Sequence, residues 1–275
     1  MSGSRTLYGP IGLIQLSMAD THIDLLALGA HPDDIEIGMA ATLALHAHEG
    51  WRTGLCDLTR GELGSNGTPR ERVAEAEAAG VILDAAVRVN LELPDGGLRR
   101  EDPEQIRRVV DIIRRLRPRA LAAPYWEDRH PDHVAASELI TEAVFKAGLR
   151  RYETDAPAWR PEWVCYYFIN DSTRPSFALD VSAFYERKRQ ALACHISQFT
   201  ATGADATATR LTSPLFTQLV ESRDAQFGAL IGARYAEGFI VRELASRPHL
   251  FKSWSAPVPS PDFPASGDAA PVNRA

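Results

Sequence analysis

The chain has 275 residues, of which 45% are hydrophobic and 24% are charged, so it is expected to bury a core, and disorder over most of its length is excluded. Its 30 basic and 36 acidic side chains give a net charge of −6 at pH 7, which argues against nucleic acid or an anionic membrane surface as a partner. Small-molecule chemistry is therefore the expected activity.

Strand and helix patterns alternate over the first half of the chain. Residues 23–29 form an apolar run that ends in glycine, as strands buried on both faces do. Further strands are predicted at 51–58, 87–91 and 119–124. Helices are predicted at 35–49, 71–83, 103–116 and 131–148. This alternation favours right-handed βαβ units and an α/β fold: a Rossmann-like, doubly wound, mainly parallel sheet flanked by helices.

The second half has weaker patterns. We expect strands at 163–169 and 177–181, a long helix at 182–198, and a helix at 214–235 broken by Gly228 and Gly232. In the first half, the helix at 35–49 is predicted from one stripe of 3.6-residue period, formed by Ile35, Met39, Thr42, Leu43 and His46.

The chain is expected to contain one domain. Residues 1–22 are interpreted as an N-terminal extension, 23–254 as a single α/β domain, and 255–275 as a proline-rich flexible tail. No segment approaches the roughly 18 apolar residues of a membrane span. The three cysteines lack the spacing of a zinc knuckle or a disulfide framework, so we expect a protein of the reducing cytoplasm.

A short pattern occurs twice, each time after a predicted strand. His31-Pro32-Asp33-Asp34 follows the first strand, and His130-Pro131-Asp132-His133 follows the strand at 119–124. Loops at the carboxyl ends of parallel strands line the ligand crevice of an open sheet, so the two segments are expected to meet at one active site. Either segment alone could serve merely to cap a helix, but two at equivalent strand ends indicate a shared site.

Imidazoles and carboxylates together, with few cysteines, favour a catalytic zinc site with three protein ligands and a position left for water. The residues alone leave open whether His130 or His133 is a ligand. They also leave two other classes open. One is a metal phosphoesterase, since His and Asp build two-metal sites. The other is a non-catalytic sugar- or dinucleotide-binding module of the same fold, although no GxGxxG follows the first strand.

The two motifs lie within longer segments that resemble those of a known family. AHPDDIEIG at 30–38 and DRHPDHVAAS at 128–137 resemble the signature motifs of the PIG-L/LmbE-like metal-dependent deacetylases. TRGELGSNGTPRERVAEAEAAG at 59–80, LPDGGL at 93–98 and CHISQF at 194–199 resemble the bacillithiol-pathway branch, which deacetylates N-acetylglucosaminyl malate. The resemblance covers roughly residues 23–250.

Carried over to this sequence, the resemblance implies a site. His31, Asp34 and His133 would be ligands of one Zn²⁺ per chain, with another divalent transition metal as the alternative. Asp33 would be the general base, protonated His130 would stabilise the oxyanion, and Asp132 would orient His130. Arg72 matches a substrate-binding arginine of the family.

The resemblance also implies partners. The substrate would be an N-acetylglucosaminide, with N-acetylglucosaminyl malate favoured over a chitooligosaccharide or a mycothiol-type conjugate. We expect a homo-oligomer that binds neither nucleic acid nor a membrane.

Overall fold

A computed structural model describes residues 22–200 and 206–244 of the chain. The described residues form one seven-stranded sheet with helices on both faces. The strands are β1 (Leu25–Gly29), β2 (Thr53–Thr59), β3 (Val87–Leu93), β4 (Ala120–Pro124), β5 (Trp163–Tyr167), β6 (Phe177–Asp180) and β7 (Ala236–Ile240). The helices are α1 (Asp34–His48), α2 (Pro69–Ile82), α3 (Pro103–Leu116), α4 (Pro131–Ala147), α5 (Tyr185–Cys194), α6 (Ile196–Phe199) and α7 (Pro214–Ile231).

The sheet has the order β3-β2-β1-β4-β5-β7-β6. Strands β1 to β5 pair in parallel, whereas β7 is antiparallel to both of its neighbours. Helices α3 and α4 pack on one face, and α1, α2 and α5 pack on the other. The predicted doubly wound, mainly parallel α/β fold is confirmed. Because the chain winds outwards from β1 in both directions, the loops after β1 and β4 diverge and leave a crevice between them.

Helix α1 forms as predicted, and the structure buries all its sides from residue 34 to 44, not the predicted stripe alone. Every residue from 34 to 44 is buried, because α5 covers the helix on the side away from the sheet. Met39 has non-helical angles (φ −151°, ψ 23°), which kink the helix. After the kink the backbone N–H groups of Ala41 and Thr42 donate to the Glu237 carboxylate of β7, 3.2 and 2.7 Å away, as at a new helix start.

The second half differs from its prediction in two places. The helix expected at 182–198 is interrupted at His195 (φ −83°, ψ 58°), where α5 ends and the one-turn α6 begins. Helix α7 continues through Gly228 and ends at Gly232, whose φ of +79° reverses the chain. That reversal lets β7 form directly after the helix, in a segment for which no strand was predicted.

Residues 22–242 belong to one compact unit. A second unit starts at Glu243, and only its first two residues are described. The proline-rich tail at 255–275 and the extension, apart from His22, lie outside the described residues. None of the described helices combines the length and the apolar character that crossing a bilayer requires.

Candidate active site

The two predicted motifs meet at the crevice between β1 and β4. These strands are neighbours, with Leu25 opposite Ala120 and Ala27 opposite Ala122. His31 closely follows β1, while His130 caps the start of α4, which holds His133 in its first turn. The shared position of the two strand ends therefore brings residues about a hundred positions apart into one cluster.

Asp34 lies between two histidines. Its Oδ1 is 3.1 Å from His133 Nε2, and its Oδ2 is 3.5 Å from His31 Nδ1. The Oδ2 atom also accepts from the His31 backbone N–H at 2.8 Å, which fixes the carboxylate. All three side chains are at most 10% exposed. The arrangement presents two imidazole nitrogens and a carboxylate to one small volume.

The opposite nitrogens of both rings face other carboxylates. His31 Nε2 is 3.1 Å from Asp95 Oδ1 and 3.4 Å from Asp132 Oδ2. On the second ring, His133 Nδ1 is 3.0 Å from Asp128 Oδ1. A metal-bound histidine commonly donates its other ring N–H to a carboxylate. The outer carboxylates thus leave His31 Nδ1 and His133 Nε2, the two nitrogens beside Asp34, in position to bind an ion.

The donor set fits a divalent transition metal. Two imidazoles and one carboxylate are typical ligands of a catalytic zinc site, which keeps a further position open. The electrostatics agree: burial opposes protonation of His133, but the Asp34 charge and the Asp128 hydrogen bond raise its pKa to about 9. Burial also opposes protonation of His31, yet Asp132, Asp34 and Asp95 raise its pKa well above the usual value. The carboxylates therefore favour a positive charge in this volume.

Two groups in the described residues have ligand atoms that all lie within 4.8 Å of one another. One consists of His31, His130 and His133, and the other of His31, Asp95 and Asp132. His130 is exposed, and Asp95 and Asp132 already face the outer nitrogen of His31. The predicted set of His31, Asp34 and His133 is not one of these two groups, although Asp34 contacts both histidines, so this ligand set stays a prediction.

Asp33 has a strained backbone beside this cluster. Its φ of 124° is rare for a residue with a side chain, and such strain is often found at functional sites. Burial raises the pKa of the Asp33 carboxyl to about 6, with the Arg72 guanidinium opposing the shift and the Asp34 carboxylate adding to it. A carboxyl group with this pKa can both accept and release a proton near neutral pH.

Arg72 is buried beside Asp33. Its NH1 donates to the Gly61 carbonyl at 2.9 Å, its NH2 donates to the Pro32 carbonyl at 2.8 Å, and NH2 lies 3.5 Å from Asp33 Oδ2. The side chain thereby joins the glycine-rich loop to the first motif. In this position Arg72 holds Asp33, and substrate binding by Arg72 stays a prediction.

His130 and Asp132 meet through the backbone rather than through the expected carboxylate. The Asp132 N–H donates to His130 Nδ1 at 3.2 Å. The Asp132 carboxylate instead accepts from Gly96 N at 2.7 Å and lies beside His31. Burial and the charges of His133 and His31 lower the pKa of His130, which favours the neutral ring with its proton on Nε2, contrary to the expected imidazolium.

Three residues at the site were not predicted. Asp128 contacts His133, Asn170 contacts Asp128, and Asp95 contacts His31. Asp128 and Asp95 lie in the DRHPDH and LPDGGL segments, which could have indicated them. Asn170 follows β5 in a segment without any such signal, and only the fold brings it to the site.

Comparison with known proteins adds to this geometry. The family model "PIG-L: GlcNAc-PI de-N-acetylase" matches residues 26–144. The "Uncharacterized deacetylase YaiS" of Escherichia coli is 33% identical over 125 residues, which are 44% of this chain and 67% of that protein. The solved structure of the conserved protein TT1542 from Thermus thermophilus is 40% identical, with a TM-score of 0.75 over 86% of this chain and 100% of that one.

Two longer alignments are with relatives whose activities differ from each other. A diacetylchitobiose deacetylase of Thermococcus kodakarensis is 27% identical over 230 residues, 78% of this chain and 81% of that protein. A 4-oxalmesaconate hydratase of Pseudomonas putida is 27% identical over 211 residues, 67% of this chain and 77% of that protein. The family model, the identity to the E. coli protein and the arrangement of both motifs around one crevice agree, and the chain belongs to the PIG-L family.

Proposed function

We propose that the protein is a metal-dependent deacetylase that removes the acetyl group from an N-acetylglucosamine conjugate. The observation that carries this proposal is the contact of Asp34 with both His31 and His133, beside a buried Asp33 whose pKa is about 6. Membership of the PIG-L family and the deacetylases among its relatives support the same reaction.

His31, Asp34 and His133 would hold the ion. A bound divalent metal such as zinc supplies Lewis acidity, which polarises an amide carbonyl and acidifies water. Asp34 also holds the two imidazoles at fixed distances. This preorganisation lowers the entropic cost of assembling the site.

Asp33 would move the proton. As a carboxylate it accepts a proton from the attacking water, and as a carboxylic acid it delivers that proton to the departing amine. Its elevated pKa makes both states accessible near neutral pH. Arg72 keeps the carboxylate in place through its contacts with Asp33 and the Pro32 carbonyl.

His130 would stabilise the transition state from the exposed side of the site. It stacks on His133 with 4.6 Å between the ring centroids and keeps Nε2 available, because Nδ1 accepts from the Asp132 backbone. A neutral imidazole donor aimed at developing negative charge lowers the barrier to acyl transfer.

The preferred substrate would be N-acetylglucosaminyl malate, an intermediate of bacillithiol biosynthesis. This choice is supported by the segments at 59–80, 93–98 and 194–199, which resemble the bacillithiol branch. A chitooligosaccharide or a mycothiol-type conjugate is the alternative, and the diacetylchitobiose deacetylase among the relatives keeps that class in the test. The three cysteines are free, which suits a reducing cytoplasm.

Acetate release from a panel of N-acetylglucosaminides tests the proposal. We expect the zinc-loaded protein to release acetate, the malate conjugate to give the highest kcat/KM, and chelation to abolish turnover. Release from none of the panel, together with hydration of an unsaturated dicarboxylic acid, would contradict deacetylation and favour the chemistry of the hydratase relative. Equal turnover of the malate conjugate and free N-acetylglucosamine would contradict only the choice of substrate.

Elemental analysis and light scattering test two further expectations. One metal ion per chain is expected, whereas two would favour a phosphoesterase-type site. For the assembly we expect a homo-oligomer, since Leu215, Leu219 and Leu230 of α7 are 42–71% exposed apolar side chains. A monomeric mass in solution would contradict that expectation.

A further inference from the structure

Asn170 contacts the site from outside the segment matched by the family model. It follows β5, which pairs with β4, so the loops after these two strands lie side by side. Its backbone N–H donates to Asp128 Oδ2 at 2.9 Å, and its Nδ2 donates to Asp128 Oδ1 at 3.0 Å. Both oxygens of one carboxylate are therefore held by a single residue.

The same carboxylate is also held from its own loop. The His130 N–H donates to Asp128 Oδ1 at 2.8 Å, and the neighbouring Arg129 N–H donates to Asp171 Oδ2 at 2.7 Å. The loops after β4 and β5 thus exchange hydrogen bonds in both directions. As a result, the Asp128 side chain is only 3% exposed although it lies on a loop.

The Asp128 carboxylate, held in this way, also contacts His133. Its Oδ1 lies 3.0 Å from Nδ1 of that ring, whose Nε2 faces Asp34. Asn170 Nδ2 also lies 3.4 Å from the same Nδ1, but two N–H donors cannot bond each other. Asp128 is the acceptor that both share.

We propose that Asn170 is a positioning residue for His133: by fixing Asp128, it keeps Nδ1–H engaged and turns Nε2 towards the metal position. The proposal rests on the proposed role of His133 as a ligand. According to this proposal, a residue of the second half of the chain contributes to metal affinity in addition to the two HPD motifs.

The experiment measures zinc affinity by competition with a chelator on the full chain. Outer hydrogen-bond partners of metal ligands typically contribute 10–100-fold to affinity. We expect Asn170→Ala to weaken zinc binding about tenfold and Asp128→Asn to weaken it more, because Asn170→Ala keeps its backbone bond. Since Asn170 acts through Asp128, the double variant should bind little more weakly than Asp128→Asn alone.

Asn90→Ala is the matched control. Asn90 is buried, donates to the Thr59 carbonyl at 2.6 Å and accepts from Glu92 N at 2.8 Å. Its replacement should lower the melting temperature and leave zinc affinity unchanged. The inference would be overturned if Asn170→Ala, like the control, left zinc affinity unchanged and lowered only the melting temperature. It would also be overturned if the losses of zinc affinity from Asn170→Ala and Asp128→Asn added up in the double variant. A wild-type chain that binds no divalent ion would overturn the proposed function as well.

Discussion

The two halves of the molecule contribute differently to the site. The half from β1 to α4 is regular and parallel, and it supplies the candidate ligands, the candidate base and the histidine at the opening. The half from β5 to β7 contains the antiparallel strand and supplies residues that hold those groups. Arg223 of α7, for example, donates to the carbonyls of Phe168 and Ile169 beside β5 and of Ile37 in α1. The candidate reacting groups thus come from the first half alone, whereas the residues that hold them come from both halves, with Arg72, Asp95 and Asp128 in the first.

Removing a candidate ligand in the first half is expected to have the largest effect. Asp34→Ala should abolish stoichiometric zinc binding and lower kcat/KM by at least about a thousandfold, because one ligand is lost and two imidazoles lose their shared contact. Elemental analysis and acetate release are the measurements. Glu138→Ala, on the exposed side of α4, is the control and should change neither. Retention of one zinc per Asp34→Ala chain would contradict the ligand assignment.

Replacing Asp33 is expected to impair catalysis without affecting metal binding. Asp33→Asn should lower kcat by about 10²–10⁴-fold with zinc content unchanged, because an amide cannot accept the proton. In the wild type, activity should fall as the pH falls through about 6, where Asp33 gains a proton, and this acid limb should be absent from the residual activity of the variant. An unaltered pH–rate profile in the variant would assign the base to another group.

In the second half, the largest expected effect is on stability. Lys188 is fully buried, and its Nζ lies 2.7 Å from both Asp224 and Glu237. Lys188→Met leaves the buried Glu237 without a cation and Asp224 with Arg223 alone, which should lower the free energy of unfolding by about 3–5 kcal/mol. Denaturant unfolding measures this loss. Lys146→Met, which breaks a surface pair with Glu142, should change it by less than about 1 kcal/mol. Equal effects of the two variants would refute the supporting role.

The smallest expected effect concerns helix starts. Thr68 forms a capping box at α2, accepting from Glu71 N while Glu71 accepts from Thr68 N. Ser213 makes a single capping bond at 3.3 Å at the start of α7. Thr68→Ala should lower the free energy of unfolding by about 1 kcal/mol and Ser213→Ala by less. A larger loss at Ser213 would reverse this ranking of the two caps.

Local patterns were sufficient for the first half of the fold. Each of its strands pairs with a parallel neighbour, and β1 and β4 consist almost wholly of apolar residues, so these runs were visible in the sequence. Strand β7 was missed because Glu237 and Gly238 leave no continuous apolar run among its five residues. Lys188 and the N–H groups of α1 compensate the charge of Glu237. These contacts come from distant segments, so no local pattern reports them.

The candidate site divides in the same way. The HPD motifs placed His31, Asp33, Asp34 and His133 in one crevice, because strand ends and short spacings are local properties. Which ring nitrogen faces Asp34 could not be read from the motifs. That choice depends on Asp95 and Asp128, and on an asparagine from the second half that is aligned only by the pairing of β4 with β5.

A zinc-soaked crystal measured at the zinc absorption edge tests the central claim most directly. The account predicts one anomalous peak per chain, within about 2.0–2.2 Å of His31 Nδ1, an Asp34 oxygen and His133 Nε2. A peak held instead by Asp95 and Asp132 on the other side of His31, or one that includes His130 and excludes Asp34, would contradict it.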